Sequence, residues 1–517
     1  MKKFAAFVLA GIVACTMLAG RVQAQEAQKM NALQSMELFQ QVLMSVQTQY
    51  HRKVETQELI KDAIQGMLNS LDPYSEYMEP DQANELKIRT QGEFGGIGIH
   101  IGETESRLTV MSTIEGTPAY RIGIMAGDRF MKIEGKSTQG MTIQDAIDLL
   151  RGTPGTQVKV SMARDGVKDE IEFDITREII KIKGVPYAGM LNNDVGFLRL
   201  ADFQASARAE LDAALDSLTR KCHATKLIFD LRSNGGGLLQ EGHEVSELFL
   251  PPGDTTVTTA GQTPPSHHVF VAANPRAYVS QPMIVLVDRG TASASEIASG
   301  ALQDYERAVV VGETTFGKGT VQTPMTLPNQ ATLKLTTALW RTPTGRCVDI
   351  RTGRDTANRQ QDSLFYTKGR NHRLVRGWSG IVPDLYAPYE HLNDFEARIK
   401  AEWYFAFAVK YASKHPELKP GFEVTPQMIT DFKALLKEKQ FAFTDAQIDS
   451  ARDFIDKALK INIASNLWGT YGEYQARLPL DTQVNRALEL LANAKTEQDV
   501  FDALPKPVKK QGVGSSE

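Results

Sequence analysis

The chain has 517 residues, 42% of them hydrophobic and 23% charged, which is more than one ordinary core holds and predicts two to four domains rather than an unfolded chain. Its 58 basic residues against 62 acidic ones leave a formal charge of -4, so nothing in the charge balance points to nucleic acid or to an anionic membrane surface. Three cysteines are too few for a disulfide framework or a zinc cage, and no metal site is expected.

Taken in chain order, Lys2-Lys3, the apolar run Phe4 to Ala19, Arg21 and then Val22-Gln23-Ala24 follow the plan of a secretory signal cut after Ala24. Export to the periplasm is the expectation. A membrane anchor is the competing reading, weakened because the run is shorter than the ~20 residues a span prefers. Lipoprotein processing at Cys15, within Ile12-Val13-Ala14-Cys15, is a second competitor. Cys222 and Cys347 then remain, expected as two small buried residues with their pairing left open.

From Ala32 to about Met78 the apolar residues fall at helical spacing, in Leu38, Val42, Met44, Leu59, Ile64 and Met67, until Asp72-Pro73 interrupts them. Between about Leu86 and Arg177 come short strand-like runs (Ile97 to Ile101, Leu108 to Val110, Val158 to Met162, Ile171 to Phe173) and one amphipathic helix, Ile143 to Leu150, a rhythm that suits one small α/β domain. From about Glu178 to Pro388 longer apolar strands alternate with helices: Val195 to Leu200, Ala205 to Leu218, Leu227 to Leu231, Met283 to Val287, Ala294 to Leu302, Val309 to Val311. That alternation predicts a layered α/β core with its chemistry at the strand ends. Tyr389 to Glu517 is rich in helix formers, with apolar groups such as Phe432-Leu435-Leu436 and Ala487-Leu490-Leu491, and ends in a frayed tail from Lys506. The divisions are therefore 1–24, 25–85, 86–178, 179–388 and 389–517, a multidomain α/β protein.

Gly312 to Lys318 reads G-x-x-x-x-G-K behind a strand, which is how a phosphate-binding P-loop begins. The position after the lysine must then be Ser or Thr at a helix start, but it is Gly319, followed by Thr320-Val321-Gln322-Thr323-Pro324, a β-like run stopped by proline. The nucleotide reading fails on both counts, and an exported ATPase would also lack its substrate. Upstream, Thr291-Ala292-Ser293-Ala294-Ser295-Glu296-Ile297 sits where the strand Met283 to Val287 gives way to a helix. A serine on such a turn is displayed at the sheet edge beside helix amides that have no internal partners, which is ground for a nucleophile.

A serine needs a base, and none of the 9 histidines lies in a triad-like stretch. A partly desolvated lysine can serve, because burial disfavours the ammonium. Lys318 between two glycines fits that role. Gln322, on the same face as Lys318 by the period-two rule, would fix the amine.

These residues resemble a known family. Thr291 to Ile297, Phe316-Gly317-Lys318-Gly319-Thr320-Val321-Gln322 and Phe229-Asp230-Leu231-Arg232-Ser233-Asn234-Gly235-Gly236-Gly237-Leu238 look like the three signature blocks of the carboxyl-terminal processing peptidases, or tail-specific proteases. Leu71 to Ser75 and Gly380 to Asp384 are covered as well. The resemblance implies a crotonase-like or ClpP-like core with Ser293 as nucleophile, Lys318 as general base and Gln322 as its orienting partner. The glycine block would bring backbone N–H groups to a ligand, with Gly236 joining Ala294 in an oxyanion hole. Two departures stand out: Ser233-Asn234-Gly235-Gly236-Gly237 replaces the usual Asn-Asn-Pro-Gly-Gly, and Thr291-Ala292 stands where Ser-Ala is common. Arg232 and Glu296 are expected to be structural members of salt bridges.

Gly95-Gly96-Ile97-Gly98-Ile99 offers glycine amides followed by a strand, as a pocket for a free C-terminal carboxylate requires. With Thr117-Pro118-Ala119 and Ala126 to Ile133 the segment resembles a PDZ domain. Ile97, Ile99 and Ile147 would favour an apolar terminal side chain. The expected function is an exported serine endopeptidase that takes substrate tails in its PDZ domain, uses no cofactor and binds no nucleic acid; the alternative is a non-catalytic PDZ scaffold of the cell envelope. Membrane proximity and a homo-oligomer are both compatible with the sequence.

Overall fold

The structure, a computed structural model, describes residues 30–273, 280–351 and 364–505. The signal sequence read at 1–24, with Cys15, lies outside the described residues. Among the described residues no helix is long and apolar enough to cross a membrane.

The chain divides into two compact units, the first ending at Tyr77. Its described part contains two helices, α1 (Ala32–Gln49) and α2 (Thr56–Asn69). Asn31 starts α1 as one half of a reciprocal capping box with Gln34. The expected break follows α2, where the Asp72 carboxylate accepts the Tyr74 and Ser75 amides and turns the chain.

The second unit opens with α3 (Pro80–Gln91), which Gly92 ends in the left-handed conformation. A two-stranded antiparallel ribbon, β1 (Glu93–Gly96) with β7 (Glu178–Lys181), carries the small domain away from the core and back again. Within it β2 (Ile99–Thr104), β3 (Arg107–Thr113), β4 (Arg129–Ile133), β5 (Gln157–Ala163) and β6 (Ile171–Thr176) lie in that spatial order, with α4 (Ile143–Leu150) alongside. The cluster of Val110, Phe130, Ile133, Ala146, Val158, Val160 and Met162 fills its interior. Among the described residues strand β2 is paired only on its β3 side, which leaves its other edge open.

The core is a six-stranded sheet in the order β8 (Tyr187–Met190), β9 (Val195–Arg199), β10 (Lys226–Asp230), β13 (Met283–Val287), β14 (Val309–Gly312) and β17 (Leu385–Tyr386). All neighbours from β9 onward run parallel. Strands buried on both faces read as unbroken apolar runs, and the period of two then sorts them. Phe229, Val285 and Val310 face one side, with α5 (Ala207–Asp216), α6 (Leu239–Glu247) and α7 (Ala294–Asp304). Ile228, Ile284, Leu286, Val309 and Val311 face the other. A second antiparallel sheet holds β11 (Thr255–Gly261) between β12 (His268–Val271) and β16 (Thr332–Arg341), with β15 (Thr320–Thr326) beyond β16.

Three differences from the sequence reading have physical causes. Pro324 does not stop its strand: it pairs with Lys334 inside β15, whose hydrogen-bonded partner is β16, and a proline is tolerated where the missing N–H faces away from the ladder. Cys222 is exposed rather than buried, following a π-turn after α5, and neither it nor Cys347 is in a disulfide. The stretch 389–517 is helical but serves two cores. Helices α8 (Ala401–Lys414), α9 (Pro426–Glu438) and the first part of α10 (Arg452–Arg477) pack on each other through Phe407, Phe432, Leu436, Ile455 and Leu459. Beyond a break in α10 at Trp468 and Gly469, α11 (Thr482–Leu491) and α12 (Glu497–Asp502) cover the second face of the central sheet with Val484, Ala487, Leu491 and Val500.

Candidate active site

Strands β10, β13 and β14 are parallel neighbours, so their carboxyl ends lie side by side, where open α/β sheets bind ligands. The three sequence blocks are the loops that leave those ends: 231–238 after β10, 288–293 after β13 and 313–319 after β14. Sequence separation of the blocks is thus undone by strand order alone.

Ser293 is the residue before α7. Its backbone sits at φ 55 and ψ -115, a conformation L-residues avoid and one that a sharp strand-to-helix turn imposes on a displayed nucleophile. Its side chain is half-buried. The Ala294 amide, at the first position of the helix, has no hydrogen-bond partner among the described residues.

Glu296 holds this strained turn. It is fully buried and makes no ion pair among the described residues, contrary to the salt-bridge expectation. Its Oε2 accepts the Ser293 amide at 2.9 Å and the Lys318 amide at 2.8 Å. Its Oε1 accepts the Gly317 amide at 2.7 Å and the Thr315 hydroxyl at 2.6 Å. Burial pushes this carboxyl above its ordinary range, against the pull of those four donors. One oxygen therefore anchors the main chain of both Ser293 and Lys318. The Phe316 amide, donating to the Thr291 carbonyl at 2.9 Å, adds a direct tie between the two loops.

Lys318 is half-buried. Gly317 before it adopts φ +79, and a Cβ there would stand 2.7 Å from Ile350 Cγ2, so the close passage of this loop requires glycine. Gln322 lies in β15 just past a register shift between Val321 and Gln322, which disturbs the period-two relation to Lys318. Its Nε2 donates to Thr320 Oγ1 at 2.9 Å and Thr336 Oγ1 at 3.2 Å.

The glycine block is pressed against the serine turn. At Gly236, φ is +95, and a Cβ would lie 2.7 Å from the Ala292 carbonyl and 2.8 Å from both Ser293 Cβ and Ala294 N. Its amide donates to Asn234 Oδ1 at 2.9 Å. The loop is tied down by Asp288, which accepts the Ser233 amide at 2.7 Å and hydroxyl at 2.9 Å. Thr291 uses its hydroxyl to accept the Asp288 amide and donate to the Leu231 carbonyl.

Arg232, as expected, is an ion-pair member. It is buried against Asp230 at 2.7 Å and Asp481 at 2.8 Å, and donates to Gln483 Oε1 at 2.8 Å. This group fastens the start of α11 to the end of β10. Burial pushes the Asp230 carboxyl up, but the Arg232 guanidinium, with Arg199, holds it below the usual carboxylate range. Asp481, Gln483 and Asp288 were missed in the sequence, where no motif sets them apart.

In the small domain the glycine-rich run is divided. Gly95 and Gly96 belong to the ribbon, paired with Ile179 and Glu178. Ile97 is buried, and Gly98, whose carbonyl accepts the Ile114 amide and the Thr117 hydroxyl, leads into β2 at Ile99. The open edge of β2 beside α4 is the geometry for adding a peptide strand.

A parallel sheet that displays a strained serine at a helix start, with a lysine loop and a glycine loop closed around it and a strand-binding domain on a ribbon, defines a serine-type peptidase. Known proteins agree. The profile of "Peptidase family S41" matches residues 194–354, that of "PDZ domain" matches 109–164, that of "Activating protease CtpB N-terminal domain" matches 8–82, and that of "Probable PDZ-protease, C-terminal helical domain" matches 396–448. A carboxy-terminal-processing protease of Bartonella bacilliformis is 40% identical over 321 residues, covering 62% of this chain and 73% of that one. The carboxy-terminal processing protease CtpA of Bacillus subtilis is 38% identical over 59% of this chain and 64% of its own length. The solved photosystem II D1 C-terminal processing protease is 26% identical over 69% of this chain and 94% of its own, with a TM-score of 0.38. The chain belongs to the carboxy-terminal-processing proteases of peptidase family S41.

Proposed function

We propose that this serine peptidase is an exported endopeptidase in which Ser293 is the nucleophile and Lys318 its general base, and in which the PDZ domain selects substrates by their C-terminal tails. The observation that carries the reading is the single buried oxygen of Glu296 bonded to the amides of both Ser293 and Lys318. It fixes two residues 25 positions apart in one small volume, as a nucleophile and its base require.

Lys318, uncharged, takes the proton as Ser293 Oγ adds to the scissile carbonyl carbon. The same proton passes to the nitrogen of the leaving peptide, the C–N bond breaks, and an ester remains on Ser293. Water then adds to the ester with its proton taken by Lys318, and that proton returns to Ser293 Oγ as the new carboxyl group departs. The Ala294 amide and, once it releases Asn234, the Gly236 amide stabilise the oxyanion. Gln322 keeps its carbonyl oxygen for the lysine amine while its amide nitrogen is held by Thr320 and Thr336. The core takes the crotonase-like or ClpP-like layout, and the leader at 1–24 directs export to the periplasm. Exposed Leu33, Met36, Phe39 and Val42 on α1 support a homo-oligomer.

Ser293→Ala and Lys318→Ala, assayed on an unstructured polypeptide with an apolar C-terminus, are each expected to abolish cleavage. Parental turnover by either variant refutes the dyad. Amidating the substrate's terminal carboxyl should raise KM, and indifference to it removes the PDZ role. A protein that captures peptides but never reacts with a serine-directed probe would be a scaffold instead.

A further inference from the structure

Lys318 lies between Gly317 and Gly319, so its own chain does little to fix the direction of its side chain. The amide side is held by Glu296. The carbonyl side is held by Trp340, on β16. Its indole Nε1 donates to the Lys318 carbonyl at 3.0 Å, and its backbone amide donates to the Gly319 carbonyl at 2.9 Å. Trp340 is among the largest fully buried side chains, 1% exposed and part of the main core cluster beneath the sheet. Close packing resists a turn of the ring, and burial keeps water from its N–H. An indole N–H without an acceptor there would carry a full desolvation cost.

We propose that Trp340 is a positioning residue for the general base: its indole N–H fixes the peptide plane after Lys318 and so aims the lysine side chain at Ser293. Glu296 sets the dihedral angle on one side of the Lys318 Cα, and Trp340 sets the one on the other. The Gly319 amide, on the other edge of that same peptide plane, is accepted by Asp349 Oδ2 at 3.0 Å and is its second tie. The indole transfers the rigidity of the core to a residue that the substrate must reach.

The inference rests on the Ser293/Lys318 reading, and the test separates the two. Replacing Trp340 by β-(3-benzothienyl)alanine keeps ring shape and volume and deletes only the N–H. The expected result is a kcat lower by about tenfold, the effect of one mispositioned hydrogen-bonded group, with KM and melting temperature held. Trp340→Phe should show the same fall in kcat with an added loss of melting temperature from the smaller ring. Parental kcat in the benzothienyl enzyme overturns the inference, as does a fall that appears only together with a matching loss of melting temperature. An active Lys318→Ala enzyme sinks the dyad whatever Trp340 does. An inactive Lys318→Ala beside a full-speed benzothienyl enzyme sinks only the positioning role.

Discussion

Glu296→Gln is the most informative single change. All four neighbours of the carboxylate present hydrogens to it, three of them main-chain amides that can only donate. A glutamine has one accepting oxygen. If its NH2 replaces Oε2, it faces the Ser293 and Lys318 amides; if it replaces Oε1, it faces the Gly317 amide and a threonine that must reverse its hydroxyl. The first pose loses two bonds to a charged acceptor and the second loses one and reorients another, each bond being worth about 1.5–3 kcal/mol. The total in the first pose, about 3–6 kcal/mol, divides between global stability and local displacement. If half of it appears as displacement of Ser293 or Lys318 from the reacting geometry, kcat falls by about 10- to 100-fold or more. The assay is steady-state cleavage of a tail-bearing polypeptide, with thermal unfolding of the same sample. Glu296→Asp should not rescue activity, since a shorter arm cannot reach both loops. A Glu296→Gln enzyme with kcat and melting temperature near parental values would refute the idea that this carboxylate organises the site.

Gly236→Ala places a methyl group against the Ala292 carbonyl and the Ser293 side chain at a backbone φ of +95; turnover should fall by about 100-fold or more, and a normal rate would show that the glycine loop can withdraw. Arg232→Ala leaves the buried Asp230 and the half-buried Asp481 without their shared cation and should cost about 3–5 kcal/mol in urea unfolding. Leu491→Ala, at a fully buried position on α11, should cost about 2–5 kcal/mol and lower the unfolding midpoint of the protease core itself; a core that unfolds unchanged would mean that α11 is not part of it. Stability should also respond to acid through Asp230. Because its folded carboxyl lies below the ordinary value, its contribution is complete above that value and is lost as pH falls through the depressed one. The melting temperature of the parent should drop more steeply over that range than that of Asp230→Asn, and parallel curves would contradict the assignment.

What the sequence determined by itself was local. A strand-to-helix turn carrying Ser293, a lysine between glycines, and a glycine run after β10 are each written in a few consecutive residues, because turn chemistry and apolar periodicity act over short range. The alternation of the core strands was likewise legible, since strands covered on both faces must be apolar throughout. The tertiary structure decided what those pieces touch. Glu296 reads as a structural salt-bridge acid, and only the adjacency of β13 and β14 turns it into the shared anchor of two loops. Nothing in the sequence sets Trp340 apart, and only the pairing of β16 with β15 brings its indole N–H to the Lys318 carbonyl. Helices α11 and α12 carry apolar faces that would suit any neighbour, and the pairing of Arg232 with Asp481 across 249 positions fastens them to this sheet. Hydrophobic pattern specifies that a face is buried but not against what; shape complementarity and the pairing of buried charge, both properties of the assembled chain, make that choice.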